Sequence, residues 1–268
     1  GSWCCSMIIY SCITNSYDRI PDHYYDPDVR YVMFHDGTVK QEGPWEFIKL
    51  DTDIQCPRRL SAFPKINPDV YFEEGERTVW IDACYKMTKE FVEFSKNITE
   101  FTILRHPNRF SYYDEMLEGF LCSFYTWDQG IRITEELAKD GYNFRDYRSP
   151  LGTIIYRTID DQTRKFDMTW WKYFEMGPNR DQISFDAALQ LNGFNPNVIE
   201  DRNECGVPLG HNNKVGRLGK HPKDGDPDCT LRRKDFLSAL REITGLSYIY
   251  AKHDHSFMID YNADLHLY

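Results

Sequence analysis

The sequence predicts an α/β protein in which a central sheet is flanked by helices. Short apolar runs rich in β-branched and aromatic residues alternate along the chain with segments whose apolar residues recur at helical spacing. The chain has 268 residues, of which 41% are hydrophobic and 15% aromatic, so it can bury a large core. Polar residues follow three of the apolar runs, as expected where strands end at a ligand-binding edge.

The predicted elements follow in order along the chain. The strands are 6–13, 30–34, 78–81, 101–104 and 153–157, with later strands at 246–250 and around 257–259. The helices are 89–96, 114–127, 128–140, a segment that begins near 181, and 234–244. The aromatic cluster at 170–174 is expected to pack in the core. Between Gly193 and Asp228 the chain is rich in Gly and Pro, which predicts a loop-rich C-terminal region.

Three predicted strands end in polar residues. Thr14, Asn15 and Tyr17 follow the first, Asp36 follows the second and Asp82 follows the third. If these strands are parallel neighbours, their polar residues converge at one edge of the sheet. Such an edge suits a nucleotide, because an Asp can accept from a base N–H and an aromatic ring such as Tyr17 can stack on the base.

Basic residues precede the third of these strands. Arg59 or Lys65 could meet a phosphate group at the same edge. Simpler interpretations are that Lys65 is a solvated loop lysine and that Asp82 is a turn former or the N-cap of a helix.

A second group of candidates lies later in the chain. Its members are His106, Arg109, Glu115, Arg180, Asp181 and Gln182. Glu115 lies near a predicted helix start, where a carboxylate also favours the helix dipole. Asp181 opens a helix, so it is either another dipole partner or, in a cleft, a base that takes a proton from an incoming hydroxyl.

Charge and cysteine usage restrict the partners and the compartment. The formal net charge of -10 argues against a nucleic-acid partner. No apolar run approaches the roughly 18 to 20 residues that span a bilayer, so we expect no transmembrane segment. Eight cysteines without a CxxC pair favour reduced thiols and a cytoplasmic location. Gly1-Ser2 is typical of a cloning remnant, so a Golgi location would follow if an N-terminal anchor was removed.

Three motifs occur in a fixed order along the chain. They read RRLSAFPKINPDVYFEEGERTVWIDAC at 58–84, RHPNR at 105–109 followed by YYDEM, and NRDQISF at 179–185. Together they resemble the TOD/MUCI glycosyltransferase-like family over roughly residues 8 to 195. The chain also resembles glycan-building enzymes of large algal viruses, which implies the cytoplasm of a host cell.

The family resemblance implies a fold and an activity. The fold is GT-A-like, that is, a Rossmann-like mixed central sheet in one domain, with a nucleotide-sugar-binding half at 6–110 and an acceptor-binding half at 111–268. The activity is transfer of a hexosyl or pentosyl group from a nucleoside diphosphate sugar, expected to be a UDP-sugar. The acceptor is a hydroxyl of an oligosaccharide or of a glycoprotein glycan.

The resemblance also implies roles for individual residues. Thr14, Asp36 and Lys65 would contact the nucleotide, and Asp181 would lie on the helix that faces the acceptor. A Mn²⁺ or Mg²⁺ cofactor would bind at Asp82, and His211 in the C-terminal loop could supply a further ligand.

One feature departs from the family pattern. Many enzymes with this fold carry two acids spaced as Asp-X-Asp, but here the second position is Cys84. A thiolate is a poor ligand for Mg²⁺ or Mn²⁺, which prefer oxygen.

Two other function classes stay open on the sequence alone. A hydrolase could use Asp82, His106 and Glu115 around a metal-bound water. A non-catalytic carbohydrate-binding protein could use the aromatic clusters alone.

Overall fold

The computed structural model describes residues 7–107, 109–121, 125–177, 180–200, 238–245, 248–250 and 257–259. The strands are β1 (Ile8–Ile13), β2 (Arg30–His35), β3 (Glu46–Lys49), β4 (Arg77–Ile81), β5 (Thr102–Arg105), β6 (Pro150–Thr158), β7 (Asn197–Ile199), β8 (Tyr248–Tyr250) and β9 (Phe257–Ile259). The helices are α1 (Pro57–Ile66), α2 (Lys89–Lys96), α3 (Tyr112–Leu121), α4 (Trp127–Lys139), α5 (Asp161–Met176) and α6 (Asp181–Leu191). Residues 238–244 are also helical.

Seven strands form one mixed sheet in the order β3-β2-β1-β4-β6-β5-β7. β1 is parallel to β2 and to β4, and β2 is parallel to β3. β6 runs antiparallel to β4, whereas β5 and β7 are parallel to each other. This mixed sheet, together with its flanking helices, confirms the predicted α/β fold class with a mixed central sheet. β8 and β9 form a separate antiparallel pair where two late strands were predicted.

The centre of the sheet is buried on both faces. All six residues of β1 are buried, and in β4 the run from Thr78 to Ile81 is buried as well. A strand covered on both faces reads as a continuous apolar run without polar alternation, which is how β1 was recognised. The buried apolar runs in the sequence therefore identify the strands that the polar loops follow.

The described chain divides into two compact units. The first lies within Gly1–Arg105, Leu151–Met168 and Asn195–Arg217 and contains nearly all of the seven-stranded sheet. In its core, strand residues such as Ile9 pack with Phe91 of α2.

The second unit lies within His106–Pro150, Thr169–Phe194 and Leu218–Tyr268. Its core joins Tyr112 of α3, Ile133 of α4 and Ala187 of α6. This unit is mainly helical in its described part.

One segment predicted as a single helix does not continue into the next helix. A single helix was predicted from Asp114 to Trp127, but α3 ends at Leu121 and α4 begins at Trp127. Thr126 has extended backbone angles, and its hydroxyl accepts from the Gln129 amide in a capping box, so it starts a new helix. No helix in the described ranges is long and apolar enough to cross a membrane.

Candidate functional site

The loops after β1 and β2 meet at the carboxyl edge of the parallel strands. The strands are in register to their last residues, so Thr14 and Asp36 leave the sheet side by side. The Asn15 amide donates to Asp36 Oδ2 over 2.6 Å, which joins the two loops. Tyr17 lies half-exposed in the first loop. The predicted convergence of these strand ends is therefore present.

Asp36 is held in its loop by several donors. Its Oδ1 accepts from the Thr38 amide over 3.0 Å and from the Thr38 hydroxyl over 2.6 Å. Partial burial acts to raise the pKa of Asp36, but the hydrogen bonds from Thr38 and Asn15 outweigh it and lower the pKa. Asp36 is thus a charged residue that holds the two loops together.

The backbone of the first loop is unusual. Asn15 and Ser16 have φ angles of 55° and 49°, in the left-handed region. Asn tolerates this region better than most residues, whereas for Ser it is uncommon. The Ser16 amide donates to Thr38 Oγ1 over 2.8 Å, so the second loop holds the first in this conformation.

Asp82 forms an ion pair at the same edge. It directly follows β4, and Lys65 Nζ lies 3.6 Å from its Oδ1. The same oxygen accepts from Trp80 Nε1 over 2.8 Å, because residues two apart in an extended strand project to one face. The side chain of Lys65 is 8% exposed and that of Asp82 is 33% exposed. Solvent therefore reaches the Asp82 side chain but scarcely reaches that of Lys65.

The burial of Lys65 corrects one interpretation made from the sequence. Lys65 is not a solvated loop lysine, because it lies in the last turn of α1 and is buried. A lysine is rarely buried unless a partner compensates its charge. Asp82 provides that partner.

Helix α1 connects the two parts of the edge. The Thr14 hydroxyl donates to the Pro57 carbonyl at the start of α1 over 2.9 Å, and Lys65 lies near the end. Arg58 and Arg59 are half-buried in the first turn. α1 therefore carries basic residues along the edge from the first loop to Asp82.

Arg157 on β6 anchors the end of α1. Its Nη2 donates to the Lys65 carbonyl and, over 3.0 Å, to the Tyr10 hydroxyl, while its Nη1 is ion-paired with Asp167. The side chains of Arg157 and Asp167 are 0% and 2% exposed. Burial raises the pKa of Asp167, and the Arg157 charge opposes this rise. This buried network fixes the backbone from which Lys65 projects.

The described residues do not form a donor set for Mn²⁺ or Mg²⁺. Asp82 Oδ1 already accepts the Trp80 indole N–H and faces the Lys65 ammonium. Cys84 is a buried thiol, which suits these ions poorly. Within the described ranges no group of three or more His, Cys, Asp or Glu side chains could share an ion. His211 lies outside the described residues.

The second unit contains a buried charge cluster. Glu115 of α3 has a side chain that is 0% exposed and is ion-paired with Arg180, directly before α6. Arg109 Nε lies 3.9 Å from Glu115 Oε2, and Arg109 Nη2 lies 3.0 Å from Glu118 Oε1. Burial acts to lower the pKa of Arg180, but the Glu115 charge reverses this and raises it. The structure thus brings together three of the predicted cleft residues.

The burial of Glu115 corrects two interpretations. Glu115 is not simply a partner of the helix dipole, because its nearest charges are the two arginines. The hydrolase hypothesis required Glu115 beside a metal-bound water. A carboxylate closed to solvent and paired with Arg180 does not fit that role.

Asp181 begins α6, as predicted, and is half-exposed. Its backbone carbonyl accepts from Trp170 Nε1 over 2.8 Å and from Ser184 Oγ over 3.0 Å. Because Arg180 is also fixed by Glu115, the backbone is held on both sides of Asp181. Asp181 is the acid in this group that combines a held backbone with solvent access.

The remaining two residues predicted for the cleft are Gln182 and His106. Gln182 is buried, and its Nε2 donates to the Pro150 carbonyl over 3.3 Å, so it packs the start of α6. His106 is half-exposed, and its amide donates to the Ser149 carbonyl over 2.7 Å.

Trp80 and Arg157 are not among the site residues that the sequence predicts. Trp80 lies two residues before Asp82 in a strand, and this spacing could have indicated a shared face. Arg157 is a charged residue inside an otherwise apolar strand, which is a signal for a buried ion pair. Its partner Asp167 lies on the following helix.

The fold and the site define an α/β protein with a lysine–aspartate pair at the carboxyl edge of a mixed sheet. No protein-family model matches this chain, and a search of curated proteins finds no match. Among solved structures, the chain is similar to the galactosyltransferase LgtC in complex with donor and acceptor sugar analogues. The identity is 9% and the TM-score 0.43, covering 89% of this chain and 96% of that one.

An active-site mutant of LgtC is similar to the same degree. Its identity to this chain is 8% and the TM-score is 0.41, covering 87% of this chain and 95% of that one. These values are too low to transfer an activity or the role of any residue.

Proposed function

We propose that this protein is a glycosyltransferase that moves a hexosyl or pentosyl group from a nucleoside diphosphate sugar to a glycan hydroxyl. The observation that carries the proposal is the Lys65–Asp82 pair at the carboxyl edge of β1, β2 and β4. Ligands of open α/β sheets bind at this edge. A fixed ammonium there is suited to a diphosphate, and we expect a UDP-sugar as the donor.

The reaction needs positive charge where the diphosphate departs. The acceptor oxygen forms a bond to the anomeric carbon, the bond from that carbon to the phosphate oxygen breaks, and the electron pair leaves with the diphosphate. A preorganised cation stabilises this developing charge without reorganising in the transition state. Lys65 would do so, and Arg58 or Arg59 in the first turn of α1 could contact other phosphate oxygens.

The nucleoside would lie against the loops after β1 and β2. Asp36 is a partly buried carboxylate that would accept from a base N–H, and Tyr17 is half-exposed for stacking. Thr14 and Asn15 would shape this part of the site through their contacts with α1 and Asp36.

Asp181 is the proposed base. If the reaction inverts configuration, its carboxylate takes the proton of the acceptor hydroxyl, which belongs to an oligosaccharide or a glycoprotein glycan. If configuration is retained, Asp181 orients the acceptor instead. Its half-exposed side chain and held backbone support either role.

Nucleotide binding followed by donor turnover tests the proposal. UDP, GDP and CDP are screened by thermal shift and isothermal titration, and the matching sugar nucleotides are then assayed for transfer to glycan acceptors. We expect UDP to raise the melting temperature, because a ligand that binds the native state stabilises it. Absence of any nucleotide binding, with the protein folded, would contradict the proposal.

An Asp82→Asn variant locates the site. Without the Asp82 charge, the buried Lys65 ammonium loses the counter-charge that holds it at this edge, so binding of the diphosphate should weaken at least about tenfold. Trp80 can still donate to the Asn oxygen, so the fold should persist. Glu135→Gln, which removes an exposed acid on α4, is the matched control and should bind UDP normally. Unchanged binding in Asp82→Asn would place the donor elsewhere.

A further inference from the structure

We infer that Lys65 supplies the positive charge at the donor diphosphate in place of a divalent metal ion, so that donor binding is independent of metal. This inference rests on the proposed function. It differs from the expectation drawn from the sequence, which placed Mn²⁺ or Mg²⁺ at Asp82.

The position of Lys65 is the first support. Its ammonium lies 3.6 Å from Asp82 Oδ1 and 5.5 Å from the centre of the buried Trp80 ring, and the Asp82 side chain is 33% exposed. An aromatic face and a carboxylate both stabilise a cation. The charge of Lys65 is thereby kept next to the solvent-accessible part of the edge although the side chain itself is buried.

Competition for Asp82 is the second support. A divalent ion at Asp82 would share one carboxylate with the Lys65 ammonium, and two like charges at one carboxylate repel. Asp82 Oδ1 also accepts the Trp80 indole N–H. The next acid of an Asp-X-Asp pair is replaced by the buried thiol of Cys84. Mg²⁺ and Mn²⁺ prefer oxygen ligands, and the described side chains here offer few that are not already engaged.

The anchoring of α1 is the third support. The Lys65 carbonyl accepts from Arg157, which is buried and ion-paired with Asp167. Arg157 therefore positions Lys65 by holding the main chain of Lys65 in place. A lysine whose main chain is fixed in this way is preorganised, and a preorganised cation is what a departing diphosphate requires.

Titration of UDP into wild-type protein stripped with EDTA, and into the same protein with Mn²⁺ or Mg²⁺, tests the inference without any variant. We expect dissociation constants that agree within about twofold. Binding that disappears in EDTA and returns with Mn²⁺ would overturn the inference while leaving the proposed function intact. Failure of every nucleoside diphosphate to bind under both conditions would overturn the proposed function itself.

A pair of lysine variants assigns the charge. Lys65→Met keeps an unbranched apolar side chain as far as Cε and removes the ammonium, and we expect it to weaken UDP binding in EDTA at least about tenfold. Lys139→Met, at a lysine whose side chain is 74% exposed on α4, is the matched control and should bind as the wild type does. Normal binding by a folded Lys65→Met would overturn the inference. If Lys65→Met does not fold, the metal titration of the wild type decides alone.

Discussion

At the scale of single residues, the site depends on how a buried lysine keeps its charge. Lys65 is closed to solvent, while its partner Asp82 is partly open. An incoming diphosphate would therefore meet a cation that is already desolvated and has one carboxylate beside it. Electrostatic interactions in such surroundings are stronger than in bulk water. The same arrangement makes the pair sensitive to loss of either charge.

The role of Asp181 can be separated from donor binding. Asp181→Asn keeps a polar side chain at the start of α6, so we expect a stability loss of at most about 1 kcal/mol. Loss of a general base typically lowers the rate by about 10²- to 10⁴-fold. We expect that fall in the transfer rate constant, with UDP affinity unchanged, from steady-state kinetics and titration.

Asp161→Asn is the matched control for this variant. Asp161 also opens a helix, α5, but its side chain is 92% exposed and pairs with Arg164. It should transfer sugar at the wild-type rate. Wild-type turnover by Asp181→Asn would show that Asp181 only starts a helix, and a loss of UDP affinity would place it in the donor site.

His23 predicts how stability depends on pH. Burial, together with the Lys86 ammonium, lowers the pKa of His23 to about 4, with the Asp22 charge acting in the opposite direction. His23 Nδ1 accepts from the Met87 amide over 3.0 Å. Because the folded pKa lies below the ordinary 6.5, the unfolded chain binds more protons between these values. The stability that His23 contributes is present above pH 6.5 and lost as the pH falls towards 4.

Denaturant unfolding of His23→Asn from pH 7 to pH 4 checks this effect. The variant keeps an acceptor for Met87 but cannot titrate, so its stability should fall less on acidification than that of the wild type. Each pKa unit corresponds to about 1.4 kcal/mol, so the difference should be on the order of a few kcal/mol. Parallel curves for the two proteins would contradict the assignment.

Among the residues of the donor site, the sequence predicted the positions of Asp36 and Asp82 but not the burial of Lys65. Asp36 and Asp82 could be predicted because each directly follows an apolar strand. The burial of Lys65 could not be predicted. The groups that stabilise its charge, Trp80 and Asp82, lie more than a dozen residues later in the chain and meet Lys65 only in the folded protein. The Arg157 anchor depends on a still longer separation in sequence.

At the scale of elements, the Glu115–Arg180 pair ties α3 to the start of α6. Glu115→Gln leaves the buried guanidinium of Arg180 without its main counter-charge, and loss of one partner of a buried pair typically costs about 3–5 kcal/mol. We expect a loss of this order in the free energy of unfolding. Replacing both residues by methionine should recover part of it, because no buried charge then lacks a partner.

The exposed pair Lys40–Glu42 provides the control. The two side chains are 84% and 48% exposed, so Glu42→Gln should change the free energy of unfolding by less than about 1 kcal/mol. The free energy of unfolding is measured by urea unfolding. Losses of similar size in Glu42→Gln and Glu115→Gln would show that the buried Glu115–Arg180 pair does not hold α3 to the start of α6.

Periodicity predicted the helices that have clear apolar stripes and missed those that do not. α2 was predicted with its observed bounds, and Thr88 caps it through the Phe91 amide. The pattern does not predict α1, because a proline such as Pro64 argues against a helix and no side chain caps its start. It predicts only an aromatic cluster within α5, since the residues at 170–174 are large rings rather than a regular stripe of aliphatic residues.

At the scale of the whole molecule, the sequence indicated parallel neighbouring strands but not their order. β1, β2 and β4 follow from buried apolar runs. β6 lies antiparallel beside β4, with Arg77 opposite Thr158. These residues are so far apart in the chain that no short stretch of sequence predicts their pairing. The edge strand β3 is half-exposed and short, so its pattern is weak. Pairing between distant segments, rather than local propensity, sets the order of the sheet.

A crystal structure of the protein with UDP, grown without divalent metal, shows whether Lys65 holds the donor diphosphate. We expect the diphosphate at the carboxyl edge of β1, β2 and β4, with a phosphate oxygen within about 3.2 Å of Lys65 Nζ. We also expect the uridine to lie against the loops that carry Tyr17 and Asp36. A diphosphate bound at any other surface, or at this edge but out of reach of Lys65, would contradict the account.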